Sequence, residues 1–124
     1  MKIYLLIALA GSFGAMARFA MINWITHYLG RAFPYGTLTV NVLGSALMGF
    51  LGVYLLQKFH IAPEYRVAIL TGFLGAFTTM STFSIDSLTL IDRNQWFMAS
   101  LYIALTVVVC IAAARGGMLL AERI

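Results

Sequence analysis

The sequence predicts an all-α integral membrane protein with four transmembrane helices, the third of them broken near mid-membrane. Three observations carry that prediction. Of 124 residues, 62% are hydrophobic and only 10% are charged, whereas a soluble domain covers itself with roughly a quarter charged residues. The apolar residues fall into four stretches, each near the ~20 residues that cross a ~30 Å hydrocarbon core as helix. Five hydroxyl residues crowd into positions 78–84, deep inside the third stretch. Four spans with short loops account for the length as one domain, 1–124.

The first span covers about 3–28. Lys2 and the small-x-small Ala8-Leu9-Ala10 loosely suggest a signal peptide. A cut there leaves too short an apolar core, so residues 3 onward read as retained span. Gly11, Ser12, Gly14 and Ala15 offer a small-residue flank for helix packing. Arg18 is a charge inside the span, which by default is functional or paired; its late position also allows snorkelling to the interface.

The second span, about 37–56, contains no charge. Gly44, Ser45, Gly49 and Gly52 let a neighbouring backbone approach closely. Asn41 sits five residues inside, after Thr37 and Thr39, and brings an amide N–H₂ donor to membrane depth. An interhelical hydrogen bond and a pore lining are both open readings for it.

The third span, about 67–91, places Gly72 and Gly75 ahead of Thr78, Thr79, Ser81, Thr82 and Ser84. One hydroxyl in a membrane helix bonds back to its own carbonyls and signals nothing. Five after two glycines predict a helix break near Gly75–Thr79, because non-helical backbone survives at depth only where protein or a water cavity satisfies it. Carbonyls freed near Gly75 and Thr78 can coordinate a cation, and freed N–H groups can face an anion. Phe83 has a positive ring edge suited to an anion, although a lone aromatic more often packs. Asp86 lies roughly 10 Å beyond the break by helical rise, at vestibule depth or within reach of Arg18.

The fourth span, about 96–120, sets Tyr102 and Thr106 on one face, either as a polar track or as packed, satisfied hydroxyls. Loops at 29–36, 57–66 and 92–95 carry Gly30, Pro34, Pro63 and Asp92-Arg93-Asn94-Gln95. Trp24, Tyr28, Tyr54, Tyr65 and Trp96 stand near span ends as interfacial aromatics. His27 and His60 sit at span ends or in loops, where they are solvated.

Several function classes are disfavoured. The net charge is +4, but the bases stand singly, with no basic stripe for nucleic acid. The single Cys110 allows no internal disulfide and has no metal-ligand partners, so it reads as a small packing residue. No nucleophile–base set or phosphate loop suggests an enzyme. One membrane side would hold Lys2, Lys58, Arg66, Arg115 and Arg123, the other Arg18, Arg31 and Arg93. A bias that small barely orients the chain, which is consistent with insertion in both directions and antiparallel pairing.

The strings Gly11-x-x-Gly14-x-x-x-Arg18, Gly36 to Asn41-x-x-Gly44, and Thr71-Gly72-Phe73-x-Gly75-x-x-Thr78-Thr79-x-Ser81-Thr82-Phe83-Ser84 resemble the Fluc-type (CrcB-like) fluoride channels over nearly the whole chain. The resemblance implies an antiparallel, dual-topology dimer in the plasma (inner) membrane, with two fluoride pores and lipid around it. It implies a structural sodium ion at the dimer axis, held by the backbone carbonyls of Gly75 and Thr78. It places Asn41 and Phe83 in the pore, and Ser81, Thr82, Ser84, Tyr102 and Thr106 on or beside a polar track. Asp86 matches an acidic vestibule position and Arg18 the family's first-span arginine; Thr39 joins them as a vestibule or structural polar candidate.

One position departs from the family pattern: Met80 stands where the first pore phenylalanine is usual. A thioether fills space flexibly but lacks a positive rim, so this pore would pair Met80 with Phe83 and conduct at an altered rate. Pairing with a paralogue that supplies the missing ring is a second reading. Other classes fit less well: a small multidrug-type transporter would need an acid in the first span, which has none. An accessory membrane subunit without transport of its own is the third class.

Overall fold

In the computed structural model, which describes all 124 residues, the chain makes four helical passes and contains no strand. They are α1 (Lys2–Leu29), α2 (Tyr35–Gln57), a third pass in two pieces, and α5 (Trp96–Arg123). The pieces of the third pass are α3, over 63–77, and α4 (Met80–Asp92). All four passes are long and apolar enough to cross a membrane, so the chain is a multi-pass membrane protein. Short turns join them. The turn after α1 uses Gly30 at φ 83°, with its N–H on the Thr26 carbonyl, and the turn before α5 uses Asn94 at φ 59°. Both sit in the left-handed region that Gly and Asn adopt at least cost.

Two seams organise the bundle. α2 lies along α5, and α1 lies along α3. At the first seam Gly49 meets the backbone of Ala114, and Gly117 meets the backbone of Ala46 and Phe50. At the second, Gly14 meets the backbone of Phe73. A Cβ at any of these three glycines would collide with main chain, so the small residues set the approach distance. With apolar tails outside, helices associate through such packing rather than through hydrophobic burial. Only 22 of 124 residues are therefore buried, while Phe13, Phe19, Ile85, Val108 and Ile111 face outward. The buried cluster of Phe33, Leu90, Ala99 and Tyr102 closes one end of the bundle.

The third pass departs most from regular helix. Pro63 starts α3 at its first turn, where a missing N–H costs nothing. Residues Ala68–Leu74 wind wide, in π-helical turns, and the Gly75 N–H still reaches back five residues to the Leu70 carbonyl. Helix ends at Phe77. Thr78 (φ −81°, ψ 155°) and Thr79 (φ −149°, ψ 113°) are extended, and helix resumes at Met80.

Candidate functional site

The two extended residues strand backbone groups that a helix would have paired, and the question is which groups receive them. Asn41, buried on α2, supplies most of the answer. Its Oδ1 accepts the Thr79 N–H at 2.7 Å, and its Nδ2 donates to the Thr79 carbonyl at 3.1 Å. The carboxamide thus stands in for a neighbouring peptide and pairs with Thr79 on both sides. Asn41 keeps one further N–H on Nδ2 after this pairing.

Thr79 also caps α4. Its Oγ1 accepts the Thr82 N–H at 3.2 Å, donates to Thr82 Oγ1 at 3.0 Å and lies 3.3 Å from Ser81 Oγ. Thr78 Oγ1 turns back to the Leu74 carbonyl at 3.1 Å. Carbonyls before the break lose their usual partners in this rearrangement, those of Gly75 and Thr78 among them. The N–H groups that would close the helical ladder onto Gly75 and Thr78 belong to Thr79 and Thr82, and these donate to Asn41 and to the Thr79 hydroxyl instead.

Cavities flank the break on two sides. One, of about 340 Å³, is polar: Asn23, Thr26, Thr37, Thr82, Asp86 and Thr89 line it, with Arg31 and Arg93 among the remaining lining residues. The other, a groove of about 290 Å³, runs between Asn41, Ser45 and the break on one side and Thr106, Val107, Cys110 and Ile111 of α5 on the other. Met80 and Phe83 also border this groove. Thr82 faces the first cavity and Thr79 the second, so their 3.0 Å hydroxyl contact bridges the two.

Tyr102 lines neither cavity and packs behind Phe83. It is fully buried, stands edge-on to Phe33 at 5.5 Å between centroids, and lies tilted against Phe83 at 5.3 Å. Its hydroxyl donates to Asp86 Oδ2 at 3.2 Å. Replacing Tyr102 with Phe keeps the ring contacts and removes that bond. The expected cost is about 1 kcal/mol, read as a lower unfolding midpoint in detergent. An unchanged midpoint would mean that the bond contributes nothing.

The residues singled out in the sequence are thus distributed unevenly. Asn41, Thr78, Met80, Phe83 and Thr106 meet at the groove, and Thr82 and Asp86 at the polar cavity. Ser81 touches the Thr79 hydroxyl from an exposed position. Thr39 and Ser84 point outward and bond back to the Tyr35 and Met80 carbonyls. Arg18 is half-buried on α1 and borders neither cavity. It does not meet Asp86, as the sequence allowed, because α1 packs on α2 and α3 while α4 packs on α5; the acid goes to Tyr102. Sequence reasoning passed over Arg31, Arg93, Asn23, Thr26 and Thr89 at the polar cavity. Thr37 was the legible one, a helical turn before Asn41 and buried.

Comparison with known proteins adds to this geometry. A family profile described as CrcB-like protein, camphor resistance (CrcB), matches residues 5–118. A Methylococcus capsulatus protein named fluoride-specific ion channel FluC is 52% identical over 95% of this chain. The chain spans about half the length of that relative, 52%. Proteins of the same name from Saccharophagus degradans and Hahella chejuensis are 46% and 42% identical. Those alignments cover 98% and 95% of this chain, and 91% and 93% of the two relatives.

Proposed function

The chain belongs to the CrcB-like family, and we propose that it is a passive, fluoride-selective channel that lets toxic fluoride leave the cell across the plasma membrane. Its relatives are named as ion channels, and the protein is not an enzyme. The observation that carries the reading is the broken third pass clamped by Asn41, with hydroxyls leading from a polar cavity to a groove.

The mechanism follows from hydration. Fluoride is small and holds its water tightly, so a path must offer several donors as water is shed, without a fixed charge that would trap it. The polar cavity collects the ion: Arg31 and Arg93 border it against one acid, and Asp86 already receives the Tyr102 hydroxyl. Thr82 and Thr79 hydroxyls rotate to donate in turn, and the spare Asn41 N–H takes over at the groove. There Phe83 offers its ring edge, and Thr106 brings a buried hydroxyl with no partner in the chain. Larger halides lose more contact than they gain in such a constriction.

The break lies at mid-membrane depth on this reading. Two copies pair antiparallel around it, giving two pores per dimer. Support comes from the weak charge bias between the two ends of the bundle and from the open flank that carries exposed Gly75 and Met80. A structural sodium ion fits the Gly75 and Thr78 carbonyls, since a hard cation takes oxygen ligands and these two are released from the helical ladder. When bound it would neutralise the clustered carbonyls and fix the two breaks against each other.

The test is fluoride efflux from liposomes that carry only the purified chain, with chloride as control. Fast, fluoride-selective efflux supports a homodimeric channel. Equal chloride and fluoride flux sinks the selectivity account, and no efflux from a folded dimer favours a paralogue partner. Met80 gives that heterodimer reading its one specific observation. In the same assay Met80→Phe is expected to change the fluoride rate several-fold while leaving chloride excluded. An identical rate would mean that position 80 does not touch the ion.

A further inference from the structure

We infer that Ser45 is a further hydrogen-bond donor on the ion path, taking up fluoride as Asn41 releases it; this rests on the channel reading and adds a residue to it. In sequence Ser45 reads with Gly44 and Gly49 as a small side chain that lets helices approach. In the fold the three part company. Gly44 faces the Thr78 methyl and Gly49 the backbone of Ala114, whereas Ser45 borders the groove of about 290 Å³ together with Asn41 and Phe83. No residue of α2 beyond Ser45 borders that groove, because Gly49, one turn on, brings α2 against α5.

The Ser45 hydroxyl is free where six comparable hydroxyls are engaged. Ser12, Thr39, Thr78, Ser84, Ser87 and Thr89 each donate to the carbonyl four residues back. The equivalent acceptor for Ser45 is the Asn41 carbonyl. That bond is not made, and the Ser45 hydroxyl has no other hydrogen bond in the chain. Ser45 stands near the middle of α2 (Tyr35–Gln57), where a hydroxyl without a partner costs free energy that a back-bond would recover. A back-bond left unused beside a groove points to a partner that arrives through the groove.

Spacing makes the transfer continuous. Four residues advance about 6 Å along a helix and return to within about 40° of the same face, so Ser45 follows Asn41 along the groove. A fluoride ion meets a donor at about the length of a short hydrogen bond, ~2.7–3.0 Å, so two such contacts span about the same 6 Å. The ion reaches the Ser45 hydroxyl while the spare Asn41 N–H still holds it, and it is not left to regain water in between. A neutral hydroxyl adds no fixed charge to trap the ion, and its O–H turns to water once the ion has passed.

Fluoride efflux from liposomes, compared among the unmodified protein, Ser45→Ala and Ser45→Thr and read beside unfolding midpoints in detergent, tests the assignment. Alanine fits any space that serine occupies, so a residue that only packs gives unchanged efflux. For a donor on the path, Ser45→Ala is expected to slow fluoride about tenfold, the weight of one hydrogen bond to a charged partner, with the midpoint unchanged. Ser45→Thr keeps the hydroxyl and is expected to recover most of the rate. Undiminished efflux in Ser45→Ala overturns the inference and leaves the channel reading intact. An equal loss in both variants assigns the effect to packing and overturns it too. A second measurement needs neither variant: Ser45→Cys in a Cys110→Ser background, treated with methyl methanethiosulfonate, is expected to lose efflux as the thiol is capped. Efflux that survives complete capping, verified by mass, overturns the inference. No efflux from the folded, unmodified protein overturns the channel reading itself, and the role of Ser45 with it.

Discussion

Asn41→Ala is expected to abolish fluoride efflux and to remove about 2–4 kcal/mol of stability, an effect as large as losing a core leucine. The size follows from what the carboxamide does. It pairs with both the N–H and the carbonyl of Thr79, and each buried group left without a partner costs about 1–3 kcal/mol. Water in the adjoining groove recovers part of that, which sets the lower end. Asn41→Asp keeps the acceptor and removes the donor. A carboxylate still accepts the Thr79 N–H but sets an unpaired buried charge against the Thr79 carbonyl, so stability falls at least as far as in Asn41→Ala. It cannot donate to the Thr79 carbonyl, and it sets a negative charge on the route of an anion, so efflux is lost all the same. Measured together, unfolding midpoints and efflux rates discriminate cleanly. If Asn41→Ala keeps the midpoint and loses efflux, the clamp contributes no stability. If it keeps efflux, Asn41 is not on the path.

The contrast between Asn41 and its neighbours marks what a sequence makes legible in such a chain. The four passes stand out because apolar composition and helix length leave few alternatives in lipid. A residue pattern also draws attention to 75–84, since glycines and clustered hydroxyls fit poorly inside a membrane helix. What the pattern cannot supply is the partner of a given polar group. Asn41 and Thr79 lie 38 residues apart in the chain, and their meeting depends on how closely α2 approaches the break. Thr37 and Thr39 look equivalent in sequence. Two residues amount to about 200° around a helix, so Thr37 is buried at the polar cavity while Thr39 bonds back to Tyr35. Asp86 illustrates the same limit, because the choice between Arg18 and Tyr102 is made by which helices pack.

Gly44 tests how tightly the break is held in place, because a Cβ there would collide with the Thr78 methyl group and crowd Phe77. Gly44→Ala is therefore expected to cost about 1–3 kcal/mol, the usual range for overpacking, and to cut efflux sharply by displacing Thr78. The methyl cannot simply rotate away, since the Thr78 hydroxyl is committed to the Leu74 carbonyl at 3.1 Å. Thr78→Ser deletes that methyl while keeping both the hydroxyl and the main-chain carbonyl. On its own it should change little. Combined with Gly44→Ala it should restore most of the lost stability and efflux, a favourable coupling of the size seen between residues in contact, about 0.5–3 kcal/mol. A purely local penalty of alanine in a membrane helix would give no such rescue, because alanine favours helix more than glycine does. Additive effects in the double variant would thus show that the break tolerates movement at Thr78. Rescue would establish that the geometry of two extended residues, held from α2 by an absent side chain at Gly44 and a carboxamide at Asn41, sets the rate at which the ion crosses.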